Sequence, residues 1–400
     1  MRNHIHRLTQ LTSREELLSL LVFLSLIAVI ILESQSAASY PTYLLSLAVF
    51  LGASHWNKVL KTSLFWMICG MLGYLFLSCV WSEEMIWREM LSIFVRGLLV
   101  FSFVIAVAEC CISPAFIPDL SRKLSIIGGV VVCLTLINYF WIGPAEGRLQ
   151  GLGQLDAHNI GALVFGVILI FSIHTFFNER TIFRKISSIL IAIFCATAIG
   201  LSGSRNAWFS TLIGTITLLM AYRITHVRRF IIVLLSFMGC IVLLFIALVF
   251  MDASKDLLLP RGDSFRLSIW STAILSTLDQ NILIGHGILT NDNILIDGTR
   301  EFQHSHNLYL SVFYKGGLIA LSMFFLVIFT VLHLLLQNFS DSDAKLALAI
   351  LALALPSYVF DSHQVMDKVG AVWYMLWLPT GISLSLAWRK SRSKAYYSEV

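Results

Sequence analysis

Apolar stretches long enough to cross a bilayer recur along the whole 400-residue chain, and no other property limits its fold so tightly. A membrane helix needs ~20 mostly apolar residues, and inside hydrocarbon a backbone must satisfy its own N–H and C=O groups. Such runs lie at 16–33, 40–53, 63–81, 89–109, 124–142, 159–176, 186–201, 205–222, 230–251, 308–335, 345–360 and 371–388. The second of them is short. The pattern predicts an all-α integral membrane protein of about twelve transmembrane helices, with residues 1–400 forming a single polytopic domain. Only 13% of residues are charged, about half the share in a soluble domain, and the mean hydropathy is +0.82.

The distribution of cations predicts which way the helices run. With both termini cytoplasmic, 18 of the 28 Lys and Arg fall in inner segments and 8 in outer ones, while Arg96 and Lys315 lie inside spans. That asymmetry obeys the positive-inside rule. The net charge of +5 then belongs beside anionic inner-leaflet lipid and calls for no nucleic acid. The tail Trp388-Arg389-Lys390-Ser391-Arg392 reads as a stop-transfer anchor. Ser36-Ala37-Ala38-Ser39 loosely resembles a signal-peptide cleavage site, but the first apolar run reads better as a retained span. The seven cysteines lie in spans or at 110–111, so they outline no disulfide framework.

Most connections are short, and the exception is a large outer loop at 252–307. Long loops of mixed character are usually functional. Within it Phe265, Ile269, Trp270, Ala273, Ile274 and Leu278 recur at helical spacing behind Asp263-Ser264, which predicts an amphipathic helix lying on the bundle before the tenth span. Ile284-Gly285-His286-Gly287-Ile288 reads as a turn, as does Asn291-Asp292-Asn293.

Chemistry-bearing residues collect on that same side. Arg205, after Gly203-Ser204, opens a membrane helix, and Arg266 opens the loop helix. Helix N-termini favour anions, and a guanidinium adds a planar fork that binds phosphate through two hydrogen bonds. Two such sites suit a diphosphate. His304 and His306 precede the tenth span at i, i+2, and a neutral imidazole there can take a proton from a hydroxyl. His-x-His also admits a metal site, though no Cys or carboxylate set completes one, or simple helix capping. Asp361, His363, Arg148 and Asp156-Ala157-His158-Asn159 lie at the same surface. Arg96 and Lys315 sit about two turns into their spans, where they either bind phosphate deeper in a groove or pair with acids such as Glu83 and Glu89.

Outside the cytoplasm, group transfer needs a donor activated beforehand, and a lipid pyrophosphate is its natural form. Gly203-Ser204-Arg205, then Phe265-Arg266 with Trp270, then His306-Asn307 closing the loop with Gly316-Gly317 beyond, resembles the O-antigen ligase and polymerase superfamily. The likeness extends over most of the chain, since twelve spans and a large loop before the tenth fit as well. It implies an inverting, metal-independent glycosyltransferase without cofactors in a Gram-negative inner membrane. The donor would be an undecaprenyl-pyrophosphate-linked glycan, the acceptor a sugar hydroxyl of lipid A-core, and the active site periplasmic. On that resemblance Arg205 and Arg266 bind the donor diphosphate, with Arg148 and Lys315 as further contacts. His306 is the base, and His304 and Asp361 support it or orient the acceptor, the two histidines being interchangeable by sequence. Three rivals stand beside it: a polymerase extending lipid-linked glycan, a twelve-span lipid or solute transporter, and a non-catalytic scaffold. Seven prolines, mostly near loops, and the lack of an internal repeat weigh against transport.

Overall fold

A computed structural model describes the backbone of residues 2–52, 56–83, 85–143, 147–236, 266–291, 294–296, 300–302, 304–362 and 364–398. Its longer helices, numbered in chain order, are α1 (Arg2–Ile31), α2 (Tyr40–Leu51), α3 (Ser63–Leu77, continued by a 3₁₀ turn Ser78–Trp81), α4 (Trp87–Cys110), α5 (Phe116–Ile142) and α6 (His158–Asn178). They continue as α7 (Ile182–Ser202), α8 (Arg205–Arg223), α9 (Arg266–Gln280), α10 (Leu308–Gln337), α11 (Ser342–Phe360) and α12 (Leu378–Ser398), the last entered through a π turn at Trp373–Trp377. The molecule is an all-α integral membrane protein. Among the described residues seven segments, Ser63–Trp81, α4, α5, α6, α7, α10 and α11, are long and apolar enough to cross a membrane.

Helix stands at eleven of the twelve positions expected from hydropathy, though α2 has only 12 residues. The expected run at 230–251 is described only as far as residue 236, and the loop before α9, with Arg261 and Asp263-Ser264-Phe265, lies outside the described residues, as does His363. The amphipathic loop helix is present as α9, burying Ile269 and Ala273 against Ile294. After it comes a feature that periodicity does not signal: an antiparallel pair, β1 (Ile294–Ile296) with β2 (Arg300–Phe302), in register Ile294 to Phe302.

The helices differ in how much of their surface is covered. In α6, 78% of the spanning window is buried, and in α11 67%, but in α7 only 22%. α6 and α11 therefore form the core, while α7 shows most of its surface to lipid. α7 and α8 both pack on α6 and touch each other little. Between them an apolar groove of about 860 Å³ stays open, walled by residues such as Phe176, Phe177, Ala196, Phe209 and Leu219.

α10 is broken. Gly317 has φ 65° and ψ −165°, so the helical ladder stops there, and the loop segment 282–287 supplies the missing bonds. His286 N donates to Tyr314 O and Gly287 N to Lys315 O, both at 2.8 Å, while Leu318 N and Ile319 N donate to Ile282 O and Leu283 O at 2.9 and 3.2 Å. A side chain at 317 would meet Leu283 O at 2.2 Å, so glycine is required for conformation and for room alike. The same segment is tied to α3, Ile288 N donating to Ser78 Oγ and Leu289 N to Ser82 Oγ.

At the far end of the bundle, charges pair off. Arg389 bonds Asp341 and Asp343 at 2.9 and 3.2 Å and the carbonyl of Cys111. Arg14 meets Glu109 at 3.0 Å, and Asp119 takes Arg122 and Lys123. The residue expected to be only a stop-transfer cation, Arg389, is thus a clasp between α11, α12 and the turn after α4.

Candidate active site

Arg205 owes its position to a two-residue turn. α7 ends at Gly203 in the left-handed conformation, φ 62°. Ser204 follows in an extended conformation and caps α8 by accepting from Ala207 N at 3.3 Å, while its own N–H donates to Ser202 Oγ. Arg205 is the first residue of α8, exposed, and forms part of the wall of the apolar groove between α7 and α8. Asn206 donates to Ser357 O at 3.2 Å and so ties this helix start to the end of α11. Arg148 grips the same turn from the α5–α6 connection, donating Nε to Ser202 O at 2.7 Å. A Cβ at Gly203 would stand 3.2 Å from that nitrogen.

The loop helix brings in the second arginine. Arg266 lies at its first residue, with its guanidinium 5.9 Å from the Phe360 ring. Burial pushes its pKa below the usual arginine value and the nearby Arg205 adds to this, whereas Asp361 opposes it. Trp270, one turn on, donates Nε1–H to Ser305 O at 3.1 Å and packs against Phe360 at 6.2 Å. One tryptophan therefore joins α9, the histidine segment and the end of α11.

The histidines meet edge to face, ring centroids 4.0 Å apart. His306 has φ 50°, a left-handed backbone that β-carbon-bearing residues seldom adopt. It is held between Ser305, whose hydroxyl donates to Asn307 O, and Asn307, which caps α10 by accepting from Leu310 N at 3.0 Å. Burial first, then repulsion from His304 and Arg266, pushes its pKa down to about 4. It is therefore neutral at pH 7 with a lone pair to give. Asp361 caps the end of α11. Burial pushes its pKa up, opposed by the Ser362 N–H and by Arg266, His304 and Asn159.

Five of the residues singled out by sequence, Arg205, Arg266, His304, His306 and Asp361, thus form one electrostatic neighbourhood, and Arg148 holds the turn beside it. Among the described residues no three His, Cys, Asp or Glu side chains gather into a metal-ligand set. Lys315 belongs to a second group. It is buried, and with Arg96 and Lys368 it acts on Asp367, whose pKa burial pushes up. Arg96 donates to Gln364 Oε1 at 3.4 Å. The acid facing these two intramembrane cations is Asp367, whereas Glu83 and Glu89, named from sequence, are exposed. Sequence reading passes over Asp367 and Gln364, which carry no local pattern. It also misses the loop patch on α10, whose signal is present in two glycine-rich turns, Gly285-His286-Gly287 and Gly316-Gly317.

Residues 190–325 match the O-antigen ligase family. That segment holds Arg205, Arg266, both histidines and Lys315, and excludes Arg148 and Asp361. Over that segment the chain is similar to the O-antigen ligase family. It is similar to an O-antigen ligase of Pseudomonas aeruginosa, 24% identical over 273 residues that make up 68% of this chain and 65% of the relative. The clustering of cations beside an apolar groove is the structural counterpart of the short motifs seen in sequence.

Proposed function

We propose that this protein is a glycosyltransferase of lipopolysaccharide assembly. It transfers O-antigen glycan from undecaprenyl pyrophosphate to a sugar hydroxyl of lipid A-core, with inversion and without a metal, at the periplasmic face of a Gram-negative inner membrane, both termini being cytoplasmic. One observation carries this reading: the apolar groove between α7 and α8 has Arg205 in its wall, Arg266 neighbours that arginine, and the histidines neighbour Arg266. A polyprenyl diphosphate has the same layout, an apolar tail joined to a dianionic head.

In this mechanism the tail lies in the groove and Arg205 and Arg266 hold the diphosphate. Their mutual repulsion is relieved when the anion arrives, so the empty site is primed for it. Arg148, at the turn beside Arg205, is a further donor contact. His306 takes the proton of the acceptor hydroxyl as that oxygen bonds to the anomeric carbon. The bond from that carbon to the diphosphate oxygen breaks, and its electron pair leaves with the lipid diphosphate. The arginines stabilise that charge, and losing one such preorganised contact costs about 3–4 kcal/mol of transition-state stabilisation. His306 is a weak base in the empty site, and the bound dianion offsets the cationic neighbours that depress it, bringing its pKa closer to working pH. His304 supports it, and Asp361 orients the acceptor and balances the imidazolium.

The test is transfer by the purified protein from undecaprenyl-pyrophosphate-linked glycan to lipid A-core, without ATP and in the presence of a chelator. Glycan on lipid A-core, lost in His306→Ala, is the expected result. Lengthened lipid-linked glycan with unmodified lipid A-core would make the protein a polymerase instead. No transfer by a well-folded preparation would remove the glycosyltransferase reading.

A further inference from the structure

Asp361 also lines a second cavity, of about 80 Å³. At roughly 30 Å³ per water it takes two or three waters. Its polar wall consists of Gln35, Gln154, Gln364, Asp361, Asp367 and Lys368. Three separate segments supply them: the turn after α1, the α5–α6 connection and the stretch following α11. The Gln154 backbone is fixed by donating to Leu32 O, but its side-chain Nε2 is buried with no hydrogen-bond partner among the described residues. A buried amide without a partner is rare and calls for an unseen group. Gln364 accepts from Arg96 through Oε1, which orients its amide and leaves the NH₂ as a donor. Asp361 and Asp367 each accept a backbone N–H through Oδ1, from Ser362 and Lys368.

Amides and carboxylates converging on a water-sized space match the donor and acceptor edges of a sugar, where adjacent hydroxyls each give and take a hydrogen bond. Among the described residues the wall itself carries one cation, Lys368, against two carboxylates, with Arg96 bound to Gln364 behind it, so it is not built for an anion, and an apolar ligand would strand every polar group in the wall. We propose that this cavity is a saccharide subsite that receives the hydroxyl-bearing edge of one pyranose, its hydroxyls replacing the waters. Asp361 is the wall shared between this cavity and the arginine and histidine cluster, so a sugar seated here is held next to the reacting groups. The inference rests on the glycosyltransferase reading, and it leaves open whether the seated ring belongs to acceptor or donor.

The experiment uses the full chain as wild type, Gln154→Leu and Gln364→Leu, with folding checked by thermal unfolding in detergent. Saturation-transfer NMR measures binding of free core oligosaccharide and, separately, of free O-repeat oligosaccharide. Steady-state transfer is measured with each lipid-linked substrate varied in turn. Each variant is expected to weaken binding of one oligosaccharide and raise the KM of the matching substrate about 5- to 10-fold, with kcat changed less. A change confined to the core sugar assigns the pocket to the acceptor, and one confined to the O-repeat assigns it to the donor. Wild-type transfer with saccharide binding and KM unaltered in both variants overturns the subsite alone. Binding that depends on both glutamines without any transfer keeps the subsite and overturns the reaction. A wild type that binds neither oligosaccharide overturns the subsite whatever transfer shows.

Discussion

The two ends of this bundle use the same residue types in opposite ways. At the far end several cations meet acids: Arg389 spans Asp341 and Asp343, Arg14 meets Glu109, and Arg122 and Lys123 share Asp119. At the arginine face Arg205, Arg266, His304 and His306 gather around one carboxylate, Asp361. The first arrangement neutralises charge and joins helices. The second leaves a surplus of positive charge in a partly buried place, which is unfavourable until an anion binds. Paired charge belongs to the scaffold and unbalanced charge to a site.

That contrast breaks most readily at His306. His306→Ala is expected to lower kcat by roughly 10²- to 10⁴-fold and to leave the unfolding temperature nearly unchanged. With its pKa pushed down to about 4 in the empty protein, the wild-type kcat/KM should rise with pH through that region, and the variant should lack this acid limb. The sign for stability follows from the same shift. Folding holds this imidazole below its unfolded value of about 6.5, so the unfolded chain binds more protons between the two values. Stability therefore declines as pH falls from about 6.5 towards 4, and His306→Ala should flatten that slope in a pH series of unfolding midpoints.

Next in size are the arginines. Arg205→Ala and Arg266→Ala are each expected to lower kcat by about 10²- to 10³-fold, again with little loss of fold, because each stands at the first residue of its helix, at the edge of the bundle. A large drop in unfolding temperature would place them with the scaffold instead. The opposite outcome is expected for Arg389→Ala. Removing one partner leaves the mostly buried Asp343 without its counter-ion, at a stability cost of about 1–3 kcal/mol given that Arg389 is itself partly exposed. Activity per folded molecule should persist, and scaling activity to the monodisperse fraction checks it. The smallest effect should come from Trp270→Phe, which keeps the ring against Phe360 and removes only the bond to Ser305 O. That bond is worth about 0.5–1.5 kcal/mol. Activity is expected to fall several-fold as the histidine segment loses its tie to α9, and no change at all would mean that α9 does not position the histidines.

Much of this architecture is legible in the amino-acid sequence. The expected apolar runs fall on helices wherever the described residues cover them, because in a bilayer-sized apolar run the backbone has few alternatives to helix. Arg205, Arg266 and the histidines are noticeable because ionisable side chains are rare near so much hydrocarbon. The loop helix follows from 3.6-residue periodicity, which is local. What the sequence hides depends on distance along the chain. Asp367 lies more than fifty residues after Lys315 and far more after Arg96, and nothing near any of the three announces their association. The break in α10 is comparable. Gly316-Gly317 suggests flexibility, but only segment 282–287, folded back onto it, turns that weakness into a hydrogen-bonded joint.

The amino-acid order by itself determined the membrane class, the helix positions, the cationic residues worth attention and the likeness to a family, all of which depend on composition or on neighbours within a few turns. Only the tertiary structure decided that α7 and α8 part to leave a groove beside Arg205, that Asp367 rather than Glu83 or Glu89 faces Arg96 and Lys315, and that three glutamines from separate segments share one small cavity. The physical reason is the same in each case. Hydropathy and helical period are properties of consecutive residues, whereas electrostatic partnership and empty space arise between helices, where packing brings together groups that the chain keeps far apart.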